Sequence, residues 1–389
     1  MKYGRNGKKS SLPSKLLQLA GKNRGFVTQV KAWFRRARRP MPWRNTRDPY
    51  RIWVSEIMLQ QTRAAAVVPY YEKFLRRFPT VAALARSREA DLLECWSGLG
   101  YYARARNLRR AAGIIVSRLA GKLPRIYQQW VELPGVGPYT AAAVTSIAFG
   151  APVAVMDGNV ARLMARLTGN HGDVGSARVR DQLRERAQEL MDPRDPGEFN
   201  QAMMELGATV CTPRQPRCLV CPVQGWCSAR RLGIENELPV KGRGRGPVRM
   251  RILVALVQRA GRLLLGRRPA DASLLPGFWE LPQVETEGLS PDAFASLRLE
   301  LLEPLGEFRH SITYREYLVT VYRAALGGRP PRGYQWVEES RLSGLPLTTI
   351  ARKALRCSLP VSVLNRFGEA VVAHALACSG ELQLAEGRG

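Results

Sequence analysis

Apolar residues recur three and four positions apart from Phe26 to Leu232, in segments punctuated by Gly and Pro, and no stretch in that span alternates as a strand does. The pattern predicts an all-α domain over 26–232. The run LPVKGRGRGPVR, from Leu238 to Arg249, then breaks the periodicity with Gly, Arg and Pro, and reads as part of an exposed linker spanning 233–249. Beyond it the texture changes. MRILVALVQRAGRLLLGRR, Met250 to Arg268, is two apolar runs about Ala260 and Gly261, a hairpin signal, and YREYLVTVYRA from Tyr314 alternates like a further strand. The segments 291–302 and 348–355 look helical. The expected fold is therefore multidomain, an all-α domain followed by an α+β domain over 250–375, with an arm at 1–25, a tail at 376–389 and no internal repeat.

Length and charge narrow the class of protein. A chain of 389 residues exceeds what one ordinary core needs, and 45% hydrophobic residues suit a folded globular chain. No run of about 18 apolar residues occurs and the start lacks the apolar core of a signal peptide, so a soluble chain without membrane attachment is expected. Lys and Arg number 60 against 32 Asp and Glu, a formal net charge of +28. Such a surface suits a polyanion, most simply nucleic acid. The first 47 residues contain no acid, and the part before Gly25 reads as a flexible basic arm.

Seven cysteines argue against a disulfide framework, since the count is odd and the chain is long enough to have a core. Cys95, Cys357 and Cys378 lie in apolar helical patterns and read as core residues. The other four, Cys211, Cys218, Cys221 and Cys227, share one short loop spaced by six, two and five residues. Thiols this close together imply a metal centre, and zinc and an iron–sulfur cluster both accept four thiolates. Arg214 and Arg217 lie between the ligands, so a metal that stiffens the loop would present them to phosphates.

Smaller motifs point the same way. LPGVGPYT, Leu133 to Thr140, fits a turn between two helices, in which Gly135 and Gly137 would bare backbone N–H groups at a helix N-terminus, a ready anion site. In RIWVSEIMLQQT, Glu56 shares a helical face with Trp53 and Gln60 and lies beside Ile57; a carboxyl among apolar groups can act as a general acid. Asp157 in VMDGNVARL suits a helix N-cap, a place compatible with an ionised carboxylate that stabilises a cation. Leu59, Gln61 and Thr62, and Tyr101 with Tyr102 in GLGYYARARNL, offer side chains able to wedge into a base stack, with Arg104 and Arg106 for phosphates. The two tyrosines suit a core equally well.

Taken in order, WVSEIMLQQT, GLGYYARARNL, LPGVGPYTA, MDGNVARL, FNQAMMELGA and the four-cysteine loop resemble the adenine DNA glycosylases of the MutY type, over nearly the whole chain after residue 26. The resemblance implies a helix-hairpin-helix glycosylase domain, a four-iron four-sulfur (4Fe-4S) cluster on the four cysteines, and a Nudix-like C-terminal domain. It implies a double-stranded DNA substrate with adenine opposite 8-oxoguanine or guanine, and a monomer in a bacterial-type cytoplasm, at the nucleoid. By the same matching Glu56 and Asp157 are catalytic and Asn159 orients them. Arg39, Trp43, Arg44 and Gln201 line the adenine pocket, while Gln61 and Tyr101 intercalate near the lesion.

One position and two stretches carry most of the discrimination. Where the endonuclease III type of glycosylase has a lysine that cleaves the strand through a Schiff base, this chain has Tyr139, which cannot form one. The stretch AFASLRLELLEPLG lacks the clustered carboxylates of a Nudix hydrolase, so the second domain is expected to recognise and not to hydrolyse. The lesion-reading turn, often H-x-F-S-H in the family, reads HSITY here, with His310, Ser311 and Thr313 as its DNA contacts. The rival readings are a bifunctional glycosylase and lyase, which Tyr139 and the second domain oppose, and a DNA-binding iron–sulfur protein without catalysis, which would not need Glu56 and Asp157 together.

Overall fold

The computed structural model describes residues 24–242, 246, 248–269, 271–272, 275–286, 291–312 and 314–358. Thr313, Cys378, most of the basic arm and the tail from 376 lie outside the described residues. The chain divides into two compact units, 1–244 and 245–389.

The first unit is helical throughout its described residues. Its helices are α1 (Arg24–Ala37), α2 (Pro49–Leu59), α3 (Ala64–Arg77), α4 (Val81–Ala85), α5 (Glu89–Trp96) and α6 (Ala103–Leu119), followed by α7 (Tyr127–Val131), α8 (Pro138–Phe149), α9 (Gly158–Thr168), α10 (Ala177–Leu190), α11 (Pro196–Thr209) and α12 (Ser228–Leu232). The starts of the site-bearing helices share a grammar. Asp48 caps α2, Asp157 caps α9 and Asp195 caps α11 by accepting backbone N–H groups, and proline opens three helices, Pro49 in α2, Pro138 in α8 and Pro196 in α11, where a missing N–H costs nothing. Phe26, Phe34, Leu163, Phe199 and Leu206 lie in one core that joins α1, α9 and α11.

Small residues let these helices approach closely. A Cβ on Gly207 would lie 2.8 Å from the carbonyl oxygen of Asn159, so α11 crosses α9 where only glycine fits. Gly135, in the turn between α7 and α8, has φ of +76°, and a Cβ there would lie 2.6 Å from Cβ of Asn107. The linker departs from expectation in its first part. Leu238 is 1% exposed, Arg166 donates to its carbonyl at 2.8 Å, and Val174 N–H donates to Val240 at 3.0 Å, so this stretch is packed onto the helical unit instead of lying free.

In the second unit β1 (Val248–Leu256) lies between β5 (Gln283–Thr286), antiparallel, and β7 (Arg315–Leu326), parallel, and β6 (Leu299–Ile312) pairs antiparallel with β7. A second sheet holds β2 (Gln258–Arg259), β3 (Arg262–Arg267), β4 (Trp279–Glu280) and β8 (Tyr334–Glu338). Helix α13 (Thr349–Ser358) contributes Ile350, Ala354 and Leu355 to the core. The expected hairpin shrinks to β2 and β3 about Ala260 and Gly261. The apolar run before it is buried on both faces from Ile252 to Leu256, which makes it an inner strand and not a hairpin arm. The helix expected over 291–302 is instead a 3-10 turn, Pro291–Leu297, and the start of β6. Pairing with β7 decides this, and the register shifts at Pro304, which has no N–H to donate. Cys95 is buried as expected, whereas Cys357 is exposed near the end of α13.

Candidate active site

Helices α2, α8, α9 and α11 converge on a cavity of about 670 Å³. Its walls include Glu56, Tyr139, Asp157 and Asn159, together with Arg39, Trp43, Arg44 and Gln201, and its mouth holds Leu59, Gln61 and Thr62. Residues expected from separate motifs thus lie around one space.

Glu56 is 4% exposed, and burial pushes its pKa up to about 7. The charge of Asp157 raises it further, while a 2.6 Å hydrogen bond from the Tyr139 hydroxyl and the nearby Arg44 oppose the rise. The carboxyl therefore carries a proton near neutral pH and can give it up, as a general acid must. Tyr139, at the second position of α8, gains a role that its difference from lysine did not suggest. It orients Glu56, with Met204 Sδ 3.2 Å from its oxygen.

Asp157 caps α9 through Val160 N–H at 2.7 Å and accepts from Asn159 Nδ2 at 2.9 Å. Burial raises its pKa; those two bonds and the Arg162 charge favour the carboxylate. Arg162 donates to Asn159 Oδ1 at 2.9 Å and to the carbonyls of Gly207 and Cys211 at 2.8 Å, so the cap is braced against α11 and the cysteine loop.

A residue that sequence reasoning passed over sits opposite. Glu205 is 1% exposed, and although burial raises its pKa, hydrogen bonds from Arg39 and Arg44 hold it at about 2. Arg39 contacts it through Nε and Nη2, both at 2.8 Å, and Arg44 at 2.6 Å. Trp43 packs edge-on to Tyr71, with ring centroids 5.3 Å apart. The signal was present in FNQAMMELGA, where Glu205 lies four residues after Gln201 and shares its helical face.

The two tyrosines separate. Tyr102 is buried, while Tyr101 is half exposed with φ of +47°, and Gln61 has φ of +58°. Arg104 and Arg106 do not serve as free phosphate ligands: Arg106 pairs with Glu89 at 2.7 Å, and the guanidinium of Arg104 is occupied by protein oxygens. Gly135 and Gly137 are exposed at the start of α8. In the second unit His310 and Ser311 line a separate cavity of about 970 Å³.

The four cysteines line one cavity with Leu163, Leu167 and Val210. Arg166 donates to Cys211 Sγ at 3.2 Å, Val223 N–H to Cys221, and Ala229 and Arg230 N–H to Cys227, donors that suit thiolates. A 4Fe-4S cluster is held by four cysteine thiolates, the donor set that this cavity gathers. Arg214 and Arg217 are exposed beside it.

A helical unit with a buried acid and a four-cysteine loop, followed by a sheet unit, defines a base-excision DNA glycosylase of the helix-hairpin-helix class with a Nudix-type second domain. Residues 54–189 match the HhH-GPD superfamily base excision DNA repair protein, 211–227 the iron–sulfur binding domain of endonuclease III, and 253–357 the NUDIX domain. The adenine DNA glycosylases of Mus musculus and Homo sapiens are each 34% identical over 85% of this chain, covering 77% and 73% of those proteins. A solved thermostable thymine-DNA glycosylase is 31% identical with a TM-score of 0.50, covering 55% of this chain and 98% of that one. The chain belongs to the adenine DNA glycosylase family: it is a base-excision repair enzyme that removes adenine from DNA, and its cysteine loop binds a 4Fe-4S cluster.

Proposed function

We propose that the enzyme excises adenine paired with 8-oxoguanine or guanine in duplex DNA and leaves the strand uncut. The observation that carries the chemistry is the buried Glu56 carboxyl, near pKa 7, under the Tyr139 hydroxyl. Adenine leaves the stack, at a cost of a few kcal/mol that protein contacts offset. Glu56 gives its proton to a ring nitrogen as the glycosidic bond breaks, and the bonding electrons leave with adenine. The sugar becomes an oxocarbenium-like cation facing Asp157, which Asn159 holds at 2.9 Å. Glu56, now a carboxylate, takes the proton of the attacking water and is restored.

Trp43 and Gln201 line the base site with Arg39 and Arg44, whose position Glu205 sets. Gln61 and Tyr101 enter the stack, with Leu59 and Thr62 beside them. Gly135, Gly137, Arg214 and Arg217 hold phosphates, and the cluster, when bound, serves to cross-link the loop that carries the arginines. His310, Ser311 and Thr313 read the base opposite adenine. The enzyme acts as a monomer in the compartment of the chromosome; no helix among the described residues is long and apolar enough to cross a membrane.

Single-turnover excision from duplexes with 8-oxoguanine, guanine or thymine opposite adenine tests the reading. The first two partners are expected to support faster excision than thymine, and equal rates on all three would defeat it. Efficient strand cleavage without added alkali would defeat the assignment of Tyr139.

A further inference from the structure

Arg104, in the first turn of α6, has no role in the chemistry above, yet its guanidinium meets six oxygens from two turns. Nη1 donates to the carbonyls of Ile57 and Met58, at 3.1 and 3.0 Å, and to that of Gln60. Nη2 donates to Thr62 Oγ1 at 3.3 Å and to the carbonyls of Leu99 and Gly100, both at 3.1 Å. Its Cζ lies 5.4 Å from the centroid of the Tyr101 ring and 5.6 Å from that of the Trp96 ring. Nε is buried without a partner, and among the described residues the charge makes no ion pair.

The oxygens it gathers are those a helix end leaves unsatisfied. Ile57, Met58 and Gln60 close α2, the helix that carries Glu56, and a cation there also answers the helix dipole. The other group belongs to the turn before Tyr101. Gln61 and Tyr101 both adopt left-handed backbone, which costs non-glycine residues of order 1 kcal/mol or more each and persists only where the surroundings impose it. Arg104 touches both turns. A planar fork can span two sets of acceptors; the single ammonium of a lysine cannot.

We infer that Arg104 is a positioning residue that joins the Gln60–Thr62 and Gly98–Tyr101 turns into one rigid wedge fixed to the catalytic helix, so that Gln61 and Tyr101 open the base stack as a unit. The inference rests on the reading that these two side chains enter the duplex. It assigns Arg104 no contact with the substrate.

The test is a double-mutant cycle read by the fluorescence of 2-aminopurine at the adenine position of a guanine-paired duplex, which reports unstacking whether or not the base is excised. In the otherwise unaltered chain Gln61→Ala and Tyr101→Ala are each expected to lower the saturating signal about fivefold, and together by no more than about tenfold, because either loss disables the shared wedge. In Arg104→Lys the signal falls about fivefold at once, single-turnover excision at saturating enzyme falls about tenfold, and Tyr101→Ala adds little, while the cluster absorbance is unchanged. Losses that multiply to about 25-fold in the unaltered chain overturn the inference, as does a full unstacking signal in Arg104→Lys. If Arg104→Lys does not fold, the first cycle decides alone. Failure of the catalytic reading shows separately, as excision that survives Glu56→Gln, and leaves the unstacking measurement intact.

Discussion

Burial gives Glu56 opposite effects on rate and on stability. With its folded pKa raised from 4.5 to about 7, the folded state holds the proton more tightly than the unfolded chain. The stability this confers is complete below 4.5 and is lost as pH rises through about 7, a change of about 3 kcal/mol. Glu56→Gln should therefore melt higher than the parent at pH ~8 and level with it near pH ~4, while its excision rate drops about 100-fold or more. In the parent, excision should decline above pH about 7 as the acid ionises. Thermal melts across that range and single-turnover rates check both. Glu205 has the reverse sign: its folded pKa of about 2 gives stability that is present above 4.5 and lost as pH falls through about 2. Glu205→Gln should cost about 3 kcal/mol in urea unfolding, because it leaves the Arg39 and Arg44 charges unpaired in a partly buried pocket.

The site depends on how closely helices cross. Where α11 passes α9 at Gly207, an added methyl would have to displace Asn159, and with it the partner of Asp157. Gly207→Ala should cost about 1–3 kcal/mol and lower excision about 100-fold with little change in duplex affinity, a pattern that separates misplacement from lost binding. The helices themselves were legible from periodicity and, at α9, from the cap Asp157. The crossings were not, because a glycine at helical spacing looks the same whether it faces solvent or another backbone. Arg104 was misread as a phosphate ligand for the same reason: an arginine in GLGYYARARNL carries no mark of which oxygens surround it.

Across the whole molecule, the charge of +28 and the 4Fe-4S loop predict two bulk properties. Duplex affinity should fall steeply with salt, by about 10³-fold between about 50 and 200 mM if some six phosphates are neutralised. The purified protein should be brown, and iron removal should weaken duplex binding with the same sign as Arg217→Ala. In the second unit, His310→Ala should narrow the ratio of excision rates on 8-oxoguanine and guanine partners while sparing the slower of the two, as paired single-turnover assays would report.

The sequence by itself determined that residues 26–232 are helical, where the texture changes to a sheet, and that four thiols share one loop fit for a metal centre. Those features depend on residue type and short spacing. Only tertiary structure decided that Tyr139 donates to Glu56 across 83 positions of chain, that Glu205 clamps two arginines, that the segment after Leu299 is a strand, and that Arg104 joins two distant turns. Each of these depends on what lies within a few ångströms of a group in space, and burial, which sets the acidity of Glu56, is fixed only when the helices have met.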